Sequence, residues 1–221
     1  MTTSRASEAT LGAEARELFR HTGPRLIAAT VAATTVARFA VGGWGWTDLV
    51  VAVVILGFEP FTEWLIHVHV LHARPRRILG FTYDSRLARD HRAHHADPKD
   101  RHLVLVPLPT LVVGIPLAAA LVVLFVRPIG PGLTGLMVGS GMLMAYEWTH
   151  HLIHSAHRPR SRYYRSIWRA HRLHHHRNER YWFGVTVNLA DHVLGTFPAK
   201  DEVPLSPTAR TSGIDVEAGR G

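Results

Sequence analysis

The chain of 221 residues contains no cysteine. That absence excludes disulfides, thiolate-held iron–sulfur clusters, thiolate-ligated haem and cysteine-based zinc fingers. A cleavable secretory signal is also missing, because residues 1–25 are polar and charged with no apolar core. Charge is absent from two long internal stretches, Leu103 to Val126 and Pro128 to Tyr146. Acidic residues are in deficit, 17 Asp+Glu against 25 Lys+Arg, for a formal net charge of +8. The basic residues fall between apolar stretches, which makes nucleic-acid binding a poor reading of that charge. Against these shortages stands one excess, 17 histidines. Without cysteine, clustered histidines point to imidazole chemistry.

A chain of this length allows one domain or two very small ones. Its mean hydropathy is near zero, but the apolar residues are segregated. Residues 26–45 form a first apolar stretch interrupted by Arg38, and Leu49 to Leu71 form a second that carries Glu59, Glu63 and terminal histidines. The two uncharged stretches are the third and fourth. A helix crosses a bilayer core of about 30 Å with about 20 apolar residues. Four transmembrane helices are therefore expected, with Arg38 reaching the interface by snorkelling. Residues 1–25 read as an N-terminal cytosolic arm, 26–197 as a membrane-embedded domain, and 198–221 as a flexible tail without chemistry, rich in Pro, Ser, Thr and Gly.

Four spans place the end of the second, the start of the third and the end of the fourth on one membrane face. The histidine clusters lie at those points. Only Arg38 and Arg127 fall near the opposite loops, so the basic excess assigns the histidine face to the cytoplasm.

Four histidine spacings stand out. His67 and His72 form HxxxxH; His91, His94 and His95 form HxxHH; His150 and His154 form HxxxH; His171, His174 and His175 form a second HxxHH. Positions i, i+3 and i+4 share one helix face, so each HxxHH presents three imidazoles together. HxxxxH is less tidy on an α-helix; it works if the helix frays or if the two residues serve different metals. Imidazole suits Fe, Zn, Cu and Ni, and ten such ligands suit two ions rather than one. A membrane zinc-handling protein is a distant alternative, because a transporter places its ligands near the midplane.

The segments EWLIHVHVLH, HRAHHADPKD followed by LVLVPLP, EWTHHLIH, and HRLHHH with GVTVNLADHVLGT downstream resemble the fatty acid hydroxylase / sterol desaturase superfamily of membrane diiron enzymes. The resemblance runs from about Phe58 to Phe197 and is closest to the fatty acid 2-hydroxylase-like branch. It implies an all-α membrane protein with a cytosolic histidine-rich helical cap holding a dimetal site. It also implies two Fe ions, with Zn able to substitute, and O2-dependent hydroxylation of a fatty acyl C–H bond. A carotenoid hydroxylase or sterol desaturase/oxidase would use the same site. The sequence has no HPGG haem motif of a fused cytochrome-b5-like domain, so electrons are expected from a separate redox partner protein.

The ten spaced histidines are the ligand set that the resemblance implies. His157, His176 and His192, with Asp191, Glu63 and Glu147, are candidates for further ligation or for supporting the ligands. Asp90, Asp97, Asp100, Glu147 and Asp191 are expected to accept N–H bonds from ligand histidines. Glu59 and Glu63 face the bundle and pair with His or Arg, or else reach solvent near the surface. Phe58, Phe61, Trp64, Tyr146 and Trp148 are either interfacial anchors, the favoured reading, or the lining of an acyl slot. Arg74, Arg76 and Arg77, or Arg158, Arg160 and Arg162, are topology signals or holders of a lipid head group.

Overall fold

The computed structural model describes residues 9–213. Thr10 opens α1 (Leu11–Leu18) by accepting a bond from the Ala13 amide at 3.2 Å. A single turn leads into α2 (Thr22–Val41), which stops where Gly42 and Gly43 take positive φ. Asp48 caps α3 (Trp46–Ile66) by accepting from the Gly45 amide at 3.0 Å. This helix does not end at Ile66. It widens into a π-helical turn, His67–Leu71, closed by a bond from the His72 amide to the His67 carbonyl.

A short hairpin follows, β1 (Arg76–Ile78) and β2 (Phe81–Tyr83), an exception to the all-α expectation. Ser85 caps α4 (Arg86–Ala96), and Asp100 caps the single turn α5 (Arg101–Val104). Two long apolar helices come next, α6 (Leu108–Phe125) and α7 (Ile129–His154). Ser161 caps α8 (Arg162–His176), and α9 (Leu189–Val193) is a short turn beyond it.

Helix α7 is the centre of the bundle and packs against α2, α3 and α6. Three helical segments have the length and apolarity to cross a membrane: Thr22–Val41, Trp46–Leu71 and Arg101–Phe125. Helix α7 has 26 residues, about 39 Å, but its glycines, Ser140, Thr134 and histidine end dilute its apolarity. Many valines and leucines of α3 and α6 point outward, Val113, Leu121 and Leu124 among them.

Arg38 departs from expectation. It does not snorkel but is fully buried, donating to Asp48 at 2.7 and 3.0 Å, to Thr134 at 2.8 Å and to the Gly42 carbonyl at 2.6 Å. The reason is that α2, α3 and α7 converge there and supply three acceptors, the Asp48 carboxylate, the Thr134 hydroxyl and the Gly42 carbonyl. The C-terminal segment departs as well. Residues 198–213 fold onto α4 and α8 instead of trailing free, with Val203, Ala209 and Ser212 buried. Arg177 holds them by donating to the Val203 carbonyl, and Thr208 by donating to Glu179. Residues 214–221 of the expected tail, and residues 1–8 of the arm, lie outside the described residues.

Candidate metal centre

The ten spaced histidines converge into two groups of five. His67, His72, His91, His95 and His174 form one, and His94, His150, His154, His171 and His175 the other. Within each group one ring nitrogen per residue lies within 4.8 Å of every other. Each HxxHH divides its residues between them. Helix α4 sends His91 and His95, four apart, to the first group and His94 to the second. Helix α8 sends His171 and His175 to the second and His174 to the first. Helix α7 completes the second group with His150 and His154. The two groups meet where the His95 and His175 rings stack at 4.2 Å.

The π-turn explains HxxxxH. On an α-helix, residues five apart diverge; in a turn closed i to i+5 they come back into line. His67 and His72 therefore serve the same group, with ring centroids 5.1 Å apart. Neither fraying nor a split between the groups is involved.

The hydrogen bonds of the first group fix its chemistry. His67 Nδ1 lies 2.6 Å from the Phe183 carbonyl, His95 Nδ1 2.8 Å from that of Ala209, and His174 Nδ1 2.8 Å from that of Tyr181. Carbonyl oxygens only accept, so each Nδ1 carries the proton and each Nε2 is a bare lone pair. Yet His174 Nε2 and His95 Nε2 are 3.2 Å apart, and both His67 and His95 Nε2 lie 3.2 Å from His91 Nε2. Lone pairs at that spacing repel unless a cation sits among them. Imidazoles bound to one ion at about 2.0–2.1 Å stand about this far apart, so the donor set fits a metal.

In the second group, His171 Nε2 lies 3.0 Å from the Nε2 atoms of both His154 and His175, and both ring nitrogens of His94 are buried without a protein partner. Burial holds His91, His94, His171, His174 and His175 well below the ordinary histidine range and His95 at about 4. Desolvation of the charged form is the main cause. The rings are thus kept neutral, the form that ligates a metal.

The other candidates stand outside both groups. His157 bonds the Ala9 carbonyl at 3.0 Å, His176 is exposed, and His192 packs on Phe197. None of the five carboxylates bonds a grouped histidine among the described residues. Asp90 pairs with Arg86, while Asp97 and Asp100 accept backbone amides at helix ends. Glu147 accepts from the Val106 amide at 2.7 Å. Asp191 accepts from the Phe183 and Gly184 amides at 3.0 and 2.7 Å. Glu63 is buried and accepts from the Val185 and Thr186 amides, and both Glu63 and Glu59 accept from the Thr186 hydroxyl. Among the described residues, neither acid forms an ion pair with His or Arg.

Asp191 and Glu63 thus grip the 183–186 loop from two sides, and that loop presents the Phe183 carbonyl to His67. Sequence reasoning missed the supports that do bond the rings: the carbonyls of Tyr181, Phe183 and Ala209, and the hydroxyl of Ser212, 2.9 Å from His72 Nδ1. Carbonyls have no sequence signature.

A cavity of about 920 Å³ opens beside the groups, bordered by His67 and His91 of one and His150 of the other. Its walls are mainly apolar, from Val54 and Phe58 of α3 and Met142 and Tyr146 of α7, with Glu59 and Glu63 on one side. Phe58 and Tyr146 line it; Phe61, Trp64 and Trp148 do not. The three-arginine runs at 74–77 and 158–162 are not part of its wall either.

The family model for fatty acid hydroxylase matches residues 52–196. Two dihydroceramide fatty acyl 2-hydroxylases of Arabidopsis thaliana are similar. FAH1 is 29% identical over 157 residues, covering 67% of this chain and 62% of its own. FAH2 is 29% identical over 138 residues, covering 62% of this chain and 55% of its own. The chain therefore spans only about three fifths of the length of these relatives. Full-length Scs7p, solved with only its hydroxylase domain visible, shares the fold at a TM-score of 0.60 and 18% identity, over 90% of this chain and 70% of that one. With two thirds of its length inside the family model and the ten spaced histidines gathered in that region, this chain belongs to the fatty acid hydroxylase family.

Proposed function

We propose that this chain is a membrane-bound lipid hydroxylase that oxidises a C–H bond of a fatty acyl chain at a His-ligated diiron centre. The observation that carries the reading is a mainly apolar cavity lined by His67 and His91 of one five-histidine group and His150 of the other. An acyl C–H bond offers nothing to acid–base catalysis. Reduced iron with O2 supplies the oxidant, which no side chain can provide.

The residues of the chain do the rest. The five imidazoles of each group would hold one ion apiece, and Nδ1 contacts orient His67, His72, His95 and His174 of the first group. Phe58, Met142 and Tyr146 take the acyl chain into a slot from which water is excluded. His67, His91 and His150 mark the end of the slot where the reacting carbon lies. The cavity volume is within the range of about 300–1,000 Å³ usual for ligand sites. Electrons come from a separate redox protein. The outward apolar faces of α3 and α6 suit lipid contact, with α7 as a fourth span and the basic, histidine-bearing face in the cytoplasm. The fatty acyl 2-hydroxylase names of the Arabidopsis relatives favour an acyl chain over a sterol or carotenoid substrate.

The test is metal analysis of the protein purified from membranes, followed by assay with iron, O2, a reductant and acyl lipid. Two ions per chain and a hydroxylated product are expected. His94→Ala and His175→Ala abolish the product while the protein still inserts; full activity in both variants overturns the reading.

A further inference from the structure

We propose that the β1–β2 hairpin is a wedge that dips into an anionic lipid surface beside the mouth of the cavity. The proposal rests on the membrane placement given above.

Residues 73–83 read ARPRRILGFTY, with three arginines and no acid. The strands pair with Arg76 opposite Tyr83 and Ile78 opposite Phe81, leaving Leu79-Gly80 as a two-residue turn. Both turn residues have positive φ, 50° and 85°. Turns of this kind strongly prefer Asn-Gly, because a Cβ crowds the backbone in the left-handed region and asparagine tolerates it best. Here a leucine takes the asparagine position and is 93% exposed. The fold gains no packing from it. Ile78, Phe81 and Tyr83 are exposed beside it, so the tip is an apolar patch on a hairpin too short to be stable alone in water.

Place and charge say what covers this patch. The apolar segment Trp46–Leu71 ends two residues before Ala73, so the hairpin leaves the bilayer edge directly. Leu71 before it and Arg86 after it both line the cavity. Its base is fixed, since Arg92 donates to the Ala73 carbonyl at 3.1 Å and pairs with Asp84. Only the tip is left to project. Arginines at the base and apolar and aromatic residues at the tip match a layer with anionic phosphates outside and acyl chains within. The wedge would part lipids where an acyl chain must enter.

The natural absence of cysteine makes the test clean. Leu79→Cys carries the only thiol, and a polarity-sensitive fluorophore on it is read in the full-length protein reconstituted into phosphatidylcholine–phosphatidylglycerol vesicles. Quenching by lipids brominated on the acyl chain, with protection from aqueous iodide, is the expected result. Replacing phosphatidylglycerol, or Arg76→Gln with Arg77→Gln, weakens the lipid quenching. A fluorophore quenched by iodide and not by brominated lipid overturns the wedge, as does protection that appears only when a soluble protein is added. Leu117→Cys on the outward face of α6 is the control. Lipid quenching there without quenching at 79 overturns the wedge alone; its absence at both sites overturns the membrane placement too. Leu79→Asn, which suits the turn, keeps or raises the thermal midpoint in detergent.

Discussion

The carbonyl oxygen of Ala209 lies 2.8 Å from Nδ1 of His95, a contact across 114 residues that ties the C-terminal segment to one histidine group. Three residues on, Ser212 reaches His72 of the same group at 2.9 Å. Both contacts fall in the group of His67, His72, His91, His95 and His174. The segment therefore supports that histidine group through two contacts. Ser212→Ala is expected to weaken metal binding there by about 10-fold, the lower end for lost supports of metal-bound histidine. Chelator challenge followed by metal analysis reads it: one ion of two leaves early. Loss of both ions together would show that the groups are not held independently.

How this support escaped the sequence is instructive. The ten histidines were legible because i, i+3 and i+4 spacing is a property of side chains on a helix. Their division into two groups was not, because it depends on which way α4 and α8 face one another. HxxxxH is out of register on an α-helix, and the π-turn that brings His67 and His72 into line has no spacing signature of its own. The carboxylates expected beside the rings were assigned by chemical type, whereas Asp97 and Asp100 were committed to helix ends and Asp191 to a loop. Arg38 was read by its apolar neighbours in sequence, and its partners Asp48 and Thr134 come from other helices. The family pattern was local, whereas the supports are long-range.

Gly184 has no room for a side chain. A Cβ there would sit 2.5 Å from the Val187 carbonyl, 3.1 Å from Asp191 Oδ2 and 3.2 Å from the Asn188 Cα. Two of those atoms are backbone and the third is the carboxylate that fixes the loop. Gly184→Ala must therefore push the loop outward and draw the Phe183 carbonyl from His67. We expect a cost of about 1–3 kcal/mol, as for overpacking elsewhere, read as a lower thermal midpoint together with reduced metal content. A normal midpoint and full metal content would mean that the loop tolerates the shift.

The buried Arg38–Asp48 pair lies at the end of the bundle away from the histidines. Removing one member leaves the other without its partner, while removing both leaves an apolar gap. Arg38→Met is therefore expected to lower the thermal midpoint in detergent more than Arg38→Met combined with Asp48→Leu. Metal content of the protein that remains folded stays at the wild-type level in both, because no residue of the network touches a histidine group. Equal losses in the single and double variants would assign the effect to Arg38 packing against Trp44, whose ring centre lies 3.7 Å from the guanidinium carbon.

Gly139 of α7 borders the cavity, and a Cβ built on it meets nothing within 4 Å. A larger side chain can thus enter the slot without disturbing the helix, and replacing glycine inside a helix favours folding by about 0.5–1 kcal/mol. Gly139→Leu is expected to leave the metal content and thermal midpoint intact. Its effect falls on the space available to substrate, on the α7 wall some three turns before His150. Product from long acyl chains drops while shorter chains are still oxidised, because only the distal part of the slot is filled. Competition between acyl chains of different length, with products resolved by mass spectrometry, measures the shift. An unchanged length preference would place the acyl chain elsewhere and leave the cavity without its assigned occupant.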